Sequence, residues 1–206
     1  MSQQKIRRAL ISVTNKDKLV ELAKTLHEMG IEIVSTGGTM GKISEAGIPV
    51  IEISKFTGSP EVMDGRVKTL HPKVHGGILY RRDNDQDIAD LITLDGRPID
   101  LVVVNLYEFE KTVENPDTTD DEIIENIDIG GPSMLRSAAK NFKFTTVVSD
   151  PGDYDQLIEQ LKDNKGCTTL EFRRSCAKAA FAMTADYDTA IADYFVLGKP
   201  DPDGTE

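Results

Sequence analysis

The segment that most constrains the fold is Leu101–Val104, LVVV. It is apolar on both faces, so it needs cover on both sides, as a central strand of a parallel sheet has. Four more apolar or β-branched runs recur along the chain: Ala9–Val13, Ile31–Val34, Val50–Ile53 and Thr145–Val148. Amphipathic segments lie between them. Lys16–Met29 puts Leu19, Leu22, Ala23, Leu26 and Met29 on one helical stripe, and Gly30 stops it. Thr39–Ala46, closed by Gly47, and Asp153–Leu161 are further helices. This alternation predicts an α/β fold of three layers, a mostly parallel sheet flanked by helices.

From Thr168 to Phe195 nothing breaks a helix, and Phe172, Cys176, Ala179, Met183, Tyr187, Ile191 and Tyr194 recur every three or four residues. That stripe either packs on the flank of the domain or meets a second copy. The expected organisation is an α/β domain over residues 1–150 and a helical C-terminal extension over 151–206. The chain of 206 residues is long enough to bury a core without staples. Its net charge of −11 disfavours nucleic acid and anionic membrane as partners. No run approaches the roughly 18 apolar residues of a membrane helix, and the N-terminus lacks a signal-peptide core. Cys167 and Cys176 fit neither a disulfide framework nor a zinc site and read as packing residues, with a cytoplasmic setting as the simplest.

Four segments carry candidate chemistry. Val34–Thr39, VSTGGT, follows a strand and opens a helix. Ser35, Thr36, Gly37, Gly38 and Thr39 there combine close backbone approach, hydroxyls and free N–H groups, as a phosphate requires. The first strand ends similarly, in Ser12, Thr14 and Lys16, and both loops are expected at the carboxyl edge of the sheet. Arg66–Arg82 holds five bases, two histidines and no acid, while Glu108–Asp128 holds nine acids and one base. The basic stretch is either an anion site or a solvated face. Asn105–Tyr107, NLY, ends the LVVV strand; Tyr107 is either functional or packing with a wet hydroxyl. Ile127–Asn141, IDIGGPSMLRSAAKN, predicts a helix opening near Pro132, with Asp128 just before it and Lys140 in its last turn. No metal site is expected, because Pro72 disfavours a helical pairing of His71 with His75.

Together ISVTNK (11–16), STGGT (35–39), TGSPEVMDGRVKTLHPKVHGGIL (57–79), NLY, IDIGGPSMLRSAAKN and TADYDTAIADYF (184–195) resemble the IMP cyclohydrolase domain of the bifunctional purine-biosynthesis family. The likeness covers nearly the whole chain. It implies a methylglyoxal-synthase-like fold and a homodimer. It also implies closure of the purine ring, in which 5-formamidoimidazole-4-carboxamide ribonucleotide (FAICAR) loses water to give IMP without cofactor or metal. Where the family commonly has proline after the NLY tyrosine, this chain has Glu108, and it has no room for a transformylase half. Formyl transfer is therefore not expected. A non-catalytic nucleotide-binding regulatory module of the same fold is the alternative.

By resemblance and chemistry, Lys68, Tyr107, Asp128 and Lys140 are the expected catalytic set. Lys68 exchanges protons beside Arg66, Asp128 takes the amide proton or orients a lysine, and Tyr107 and Lys140 donate to the oxyanion. Ser12, Thr14, Lys16, Ser35–Thr39 and Arg66 are expected around the ribose phosphate, with Thr69, Asn105, Gly130 and Gly131 completing the substrate site.

Overall fold

The computed structural model describes residues 3–199. In chain order the elements are β1 (Gln4–Lys5), β2 (Arg8–Ser12), α1 (Leu19–Glu28), β3 (Glu32–Ser35), α2 (Gly37–Glu45), β4 (Ile51–Glu52), α3 (Ile53–Thr57), α4 (Pro72–Leu79), α5 (Asp85–Thr93), β5 (Leu101–Val104), α6 (Phe109–Glu114), α7 (Asp120–Glu125), α8 (Gly130–Lys140), β6 (Thr146–Val148), α9 (Tyr154–Asp163), β7 (Cys167–Thr168) and α10 (Leu170–Leu197). Each of the five apolar runs carries a strand of one parallel sheet, ordered β4-β3-β2-β5-β6. All four side chains of β5 are buried, as a strand covered on both faces requires. Helices α1 and α2 pack with the β2–β4 half, and α8 and α10 cover β6, so helices flank the sheet.

The strand order places the site. From β2 the chain returns through α1 to β3 and through α2 to β4, moving steadily one way. It then crosses back to β5 on the other side of β2 and continues to β6. Ile11 lies opposite Ser35, and Ser12 opposite Val104. The ends of β2, β3 and β5 are thus level at one edge, and the loops beyond β2 and β5 part company there, opening a crevice.

Two local features differ from the sequence expectations. Helices α3 to α7 fill the stretch between β4 and α8, where short segments carry too little periodicity to read. Helix α4 starts on Pro72, which leaves His71 outside it. Proline at the first helical position lacks only an N–H that has no partner anyway. His71 caps that helix from outside, its Nδ1 accepting the Lys73 N–H at 3.1 Å, whereas His75 points to Ser137 (3.0 Å). Helix α8 begins at Gly130, two residues before the expected Pro132, which sits harmlessly in the first turn.

One apolar core runs from Ile6 to Tyr187. The stripe on α10 belongs to it: Phe172, Cys176 and Tyr187 are buried against the domain, with Ala180 in place of the exposed Ala179. Burial pushes the Cys176 thiol up to about 12, which keeps it an uncharged packing group. A short antiparallel ribbon pairs β1, near the N-terminus, with β7, just before α10.

Arg173, fully buried, fastens the start of α10. Its guanidinium donates to the carbonyls of Thr168 (2.6 Å), Phe142 (2.8 Å) and Lys143 (3.1 Å). Charged hydrogen bonds of this kind contribute about 1.5–3 kcal/mol each, and truncation leaves the carbonyls stranded. Arg173→Met is expected to lower the unfolding free energy by about 3 kcal/mol or more, read as a lower urea midpoint at unchanged slope.

Candidate active site

At the phosphate-like end of the crevice, β3 leads through Thr36 into α2. Gly37 adopts φ +52°, a conformation glycine accepts without strain, so the loop turns tightly enough to aim the helix start at the crevice. The N–H groups of Gly37, Gly38 and Thr39 have no partner among the described residues. They are the orphan donors of a helix N-terminus, where an anion is favoured. Lys16 reaches the same place. Its Nζ lies 3.2 Å from the Thr14 carbonyl and close to Gly38, and no carboxylate pairs with it among the described residues.

Several hydroxyl and amide groups expected on the ligand instead build this end. Ser35 Oγ is buried and donates to the Ile11 carbonyl at 2.6 Å, tying β3 to β2 and leaving the crevice lining to its neighbours. Thr39 Oγ1 donates to the Val13 carbonyl (2.9 Å) and accepts the Val13 N–H (3.0 Å), which locks the two loops together. Asn105 Oδ1 accepts the N–H groups of Thr14 (2.6 Å) and Asn15 (3.0 Å), and its Nδ2 donates to the Asn15 carbonyl at 3.2 Å. Asn105 therefore shapes the β2 loop. Its place follows from register, since Ser12 faces Val104.

The opposite end is built on the start of α8. Asp128 is largely buried; its Oδ1 accepts the Gly131 N–H at 2.8 Å, and its own N–H donates to Tyr187 Oη on α10 at 2.8 Å. Burial raises its pKa above the usual carboxylate range, against the opposing pull of the Gly131 and Gly130 N–H groups. Both glycines are needed for space. A Cβ at Gly131 would fall 2.3 Å from Asp128 Oδ2 and 2.9 Å from Leu106 Cδ2, and one at Gly130 would fall 2.6 Å from Thr69 Oγ1. The N–H of Gly131, a residue expected in the substrate site, is thus occupied by Asp128. Tyr107 stands half-exposed at the rim.

These groups line one crevice of about 630 Å³, inside the roughly 300–1,000 Å³ range of small-molecule sites. It gathers Ser12, Thr14, Lys16, Thr36–Thr39, Arg66, Lys68, Thr69, Asn105, Tyr107, Asp128, Gly130 and Gly131. Lys140 lies elsewhere: it is exposed in the last turn of α8, ten residues beyond Gly130 and roughly 15 Å along the axis.

The structure also rewrites the charge pattern. Every base of the acid-free stretch Arg66–Arg82 meets a carboxylate from elsewhere: Arg66 with Glu125, Lys68 with Glu61, Lys73 with Asp95, Arg81 with Asp87 and Arg82 with Asp100. Lys68 accordingly faces a carboxylate at 2.8 Å, and the Arg66 guanidinium is gripped by Glu125 instead of lying free beside it. Sequence reasoning missed Glu61, Asp64 and Glu125 as lining residues. Glu61 and Asp64 sit just before the basic stretch, so a tally beginning at Arg66 passes over them. The departure at Glu108 is mild; it takes the N-cap position of α6, and its side chain pairs with Lys111 at 2.6 Å on the surface.

Residues 18–133 match the MGS-like domain family. The chain belongs to that family. Residues 138–203 match a second family, described as the AICARFT/IMPCHase bienzyme. Among curated relatives, the bifunctional purine biosynthesis protein PurH of Rippkaea orientalis is 51% identical over 200 residues, covering 97% of this chain and 39% of the relative. PurH of Sorangium cellulosum is 58% identical over 189 residues, or 92% and 36%. The MGS-like chain therefore spans well under half the length of these relatives, aligning with their N-terminal part. A solved structure described as the crystal structure of ForH superposes with a TM-score of 0.81 at 34% identity, over 92% of this chain and 99% of its own. No helix among the described residues is long and apolar enough to cross a membrane.

The glycine geometry of this MGS-like site gives a direct test. Gly131→Ala forces the Asp128 carboxylate and Leu106 to move, an overpacking costing about 1–3 kcal/mol, so Tm is expected to fall by roughly 3–10 °C. Gly38→Ala meets nothing closer than Lys16 Cε at 3.8 Å and should leave Tm unchanged within about 2 °C. Differential scanning calorimetry distinguishes the two.

Proposed function

We propose that this chain is an IMP cyclohydrolase, closing the second purine ring by converting FAICAR to IMP with loss of water, the last step of de novo purine biosynthesis. One observation carries the reading: the crevice has two chemically different ends on a continuous surface. One end offers Lys16 and the N–H groups of Gly37, Gly38 and Thr39, unpartnered among the described residues. The other offers Lys68, Glu61, Tyr107 and Asp128. A ribose phosphate belongs at the first end, because a dianion gains from a free cation and helix-terminal donors and loses beside carboxylates. The neutral imidazole with its formamide and carboxamide then falls at the second.

The chemistry follows from that orientation. The carboxamide nitrogen attacks the formyl carbon, forming the ring C–N bond; Asp128, its proton affinity raised by burial, receives the amide proton. Tyr107 donates to the oxyanion that develops on the former formyl oxygen. Lys68 gives that oxygen a proton, making a hydroxyl; Asp128 then returns its proton to the hydroxyl, which leaves as water as the C–O bond breaks, while the ring N–H passes its proton to Lys68 and the C=N bond forms. The crevice holds the two reacting groups together, which supplies part of the barrier reduction by itself. No oxidation state changes and no group is transferred, so the proposal invokes no cofactor. Lys140, at the far end of α8 and outside the crevice lining of this chain, is assigned no step here.

Support also comes from the likeness to PurH proteins and to the AICARFT/IMPCHase family. A spectrophotometric assay tests the reading. FAICAR should be turned over to IMP; tight binding of IMP without turnover would mean a regulatory module instead. Lys68→Ala should lower kcat by roughly 10²-fold or more at similar KM, and Lys16→Ala should raise KM roughly ten- to a hundredfold at similar kcat. The acid limb of the kcat/KM profile should lie above the ordinary carboxylate pKa of 3.8, because activity needs ionised Asp128 and burial favours its protonated form. Wild-type kcat in the Lys68 variant would end the assignment.

We further infer a cytoplasmic homodimer in which residues 1–150 form the nucleotide-binding part and residues 151–206 its helical extension. Phe195, Val196 and Leu197, between 65% and 80% exposed at the end of α10, support a partner for that helix end. Light scattering should return twice the chain mass, and a single-chain mass would remove the dimer.

A further inference from the structure

The Glu61–Lys68 pair stands apart from the other ion pairs, because its geometry is set by backbone as well as by charge. Val62 and Val67 form an antiparallel bridge and exchange both hydrogen bonds, Val62 N–H to Val67 O at 3.2 Å and Val67 N–H to Val62 O at 3.3 Å. The residues flanking such a pair, Glu61 and Lys68, are then directly opposed in the closer, non-hydrogen-bonded kind of cross-strand position. The turn between them runs through Met63, Asp64 and Gly65 at positive φ of 56°, 53° and 92°. Gly65 clears the space. A Cβ there would lie 2.4 Å from Glu61 Oε1 and 3.7 Å from Lys68 Nζ. The result is a carboxylate 2.8 Å from the ammonium, with both side chains in the crevice lining.

We infer that Glu61 is a positioning residue for Lys68: it holds the ammonium on the crevice wall where the heterocycle would lie. The pair faces solvent on one side, Lys68 being 23% and Glu61 46% exposed, so its contribution to folding is small. What it does is restrict a four-carbon side chain to one direction. A free lysine at this position would sample many rotamers and spend little time at the reacting oxygen. The hairpin also explains why TGSPEVMDGRVK reads as one unit: the acid, the turn residues and the lysine are parts of a single device. This inference rests on Lys68 acting in the cyclohydrolase reaction proposed above, while the pairing itself can be tested without turnover.

The experiment uses the wild-type chain, Glu61→Gln and Glu61→Asp. Two quantities are measured on each: kcat and KM for FAICAR, and the rate at which Lys68 is acetylated by acetic anhydride, mapped by peptide mass spectrometry. Glu61→Gln should lower kcat roughly tenfold or more with KM within about twofold, and should raise Lys68 acetylation several-fold. Glu61→Asp keeps the charge and should recover part of both. Circular dichroism should match wild type throughout, since the hairpin tip is exposed. Unchanged acetylation in Glu61→Gln overturns the pairing, and unchanged kcat overturns the positioning role. If the wild-type chain does not turn over FAICAR, the cyclohydrolase reading fails, and the acetylation rates alone then uphold or overturn the hold of Glu61 on Lys68.

Discussion

Strands β2 and β5 lie side by side and end level, Ser12 against Val104, and the chain beyond each belongs to a different half of the sheet. That divergence is what the rest depends on. Adjacent parallel strands cannot be joined by a tight turn, so their ends stay open unless side chains fill them. Here Asn105 braces the β2 loop and Thr39 ties it to α2, which leaves backbone donors and Lys16 facing outward. The Ser35 and Thr39 hydroxyls and the Asn105 amide, which look like ligand contacts in a motif, are consumed in making the loops rigid. The backbone donors left over are those a helix terminus exposes in any case.

The charge arrangement shows the same economy. Five bases packed into a short stretch suggest a strong positive field, yet each is matched to a carboxylate brought from another element. Most of those partners are solvent-exposed and contribute little to stability. Their effect is to confine positive character to the Lys16 end. Asp128 follows a different rule. It is withdrawn from water at a helix N-terminus, and the start of α8 is spaced by two glycines that leave room for its carboxylate and for Thr69.

Helix α10 is joined to this centre. Its stripe packs on α8 and β6, Arg173 pins its first turn, and Tyr187 reaches the Asp128 N–H from the middle. Tyr187 also packs edge-on against Phe109 of α6, so a helix from within the acidic stretch meets α10 at the residue that bonds the Asp128 backbone. The helical tail is therefore continuous with the site through a single hydroxyl, a connection that a contact between helices alone would not make.

The parallel strands, the helices α1, α2, α9 and α10, and the glycine-rich loops were legible in the sequence, because they rest on local rules: apolar periodicity, glycine stops and strand-to-helix turns. The short helices α3 to α7 were not, since segments of five to nine residues carry too few turns to establish a period. Around the site, motif and family likeness identified most residues that line the crevice. Tertiary structure decided what each one faces. Ser35 and Thr39 turned inward to the framework, Lys140 stayed at the far end of α8, and Glu61 and Glu125 joined Lys68 and Arg66. The physical reason is range: backbone conformation is set by neighbours in sequence, whereas the partner of a charge or hydroxyl is set by whichever distant segment the fold delivers within about 3 Å.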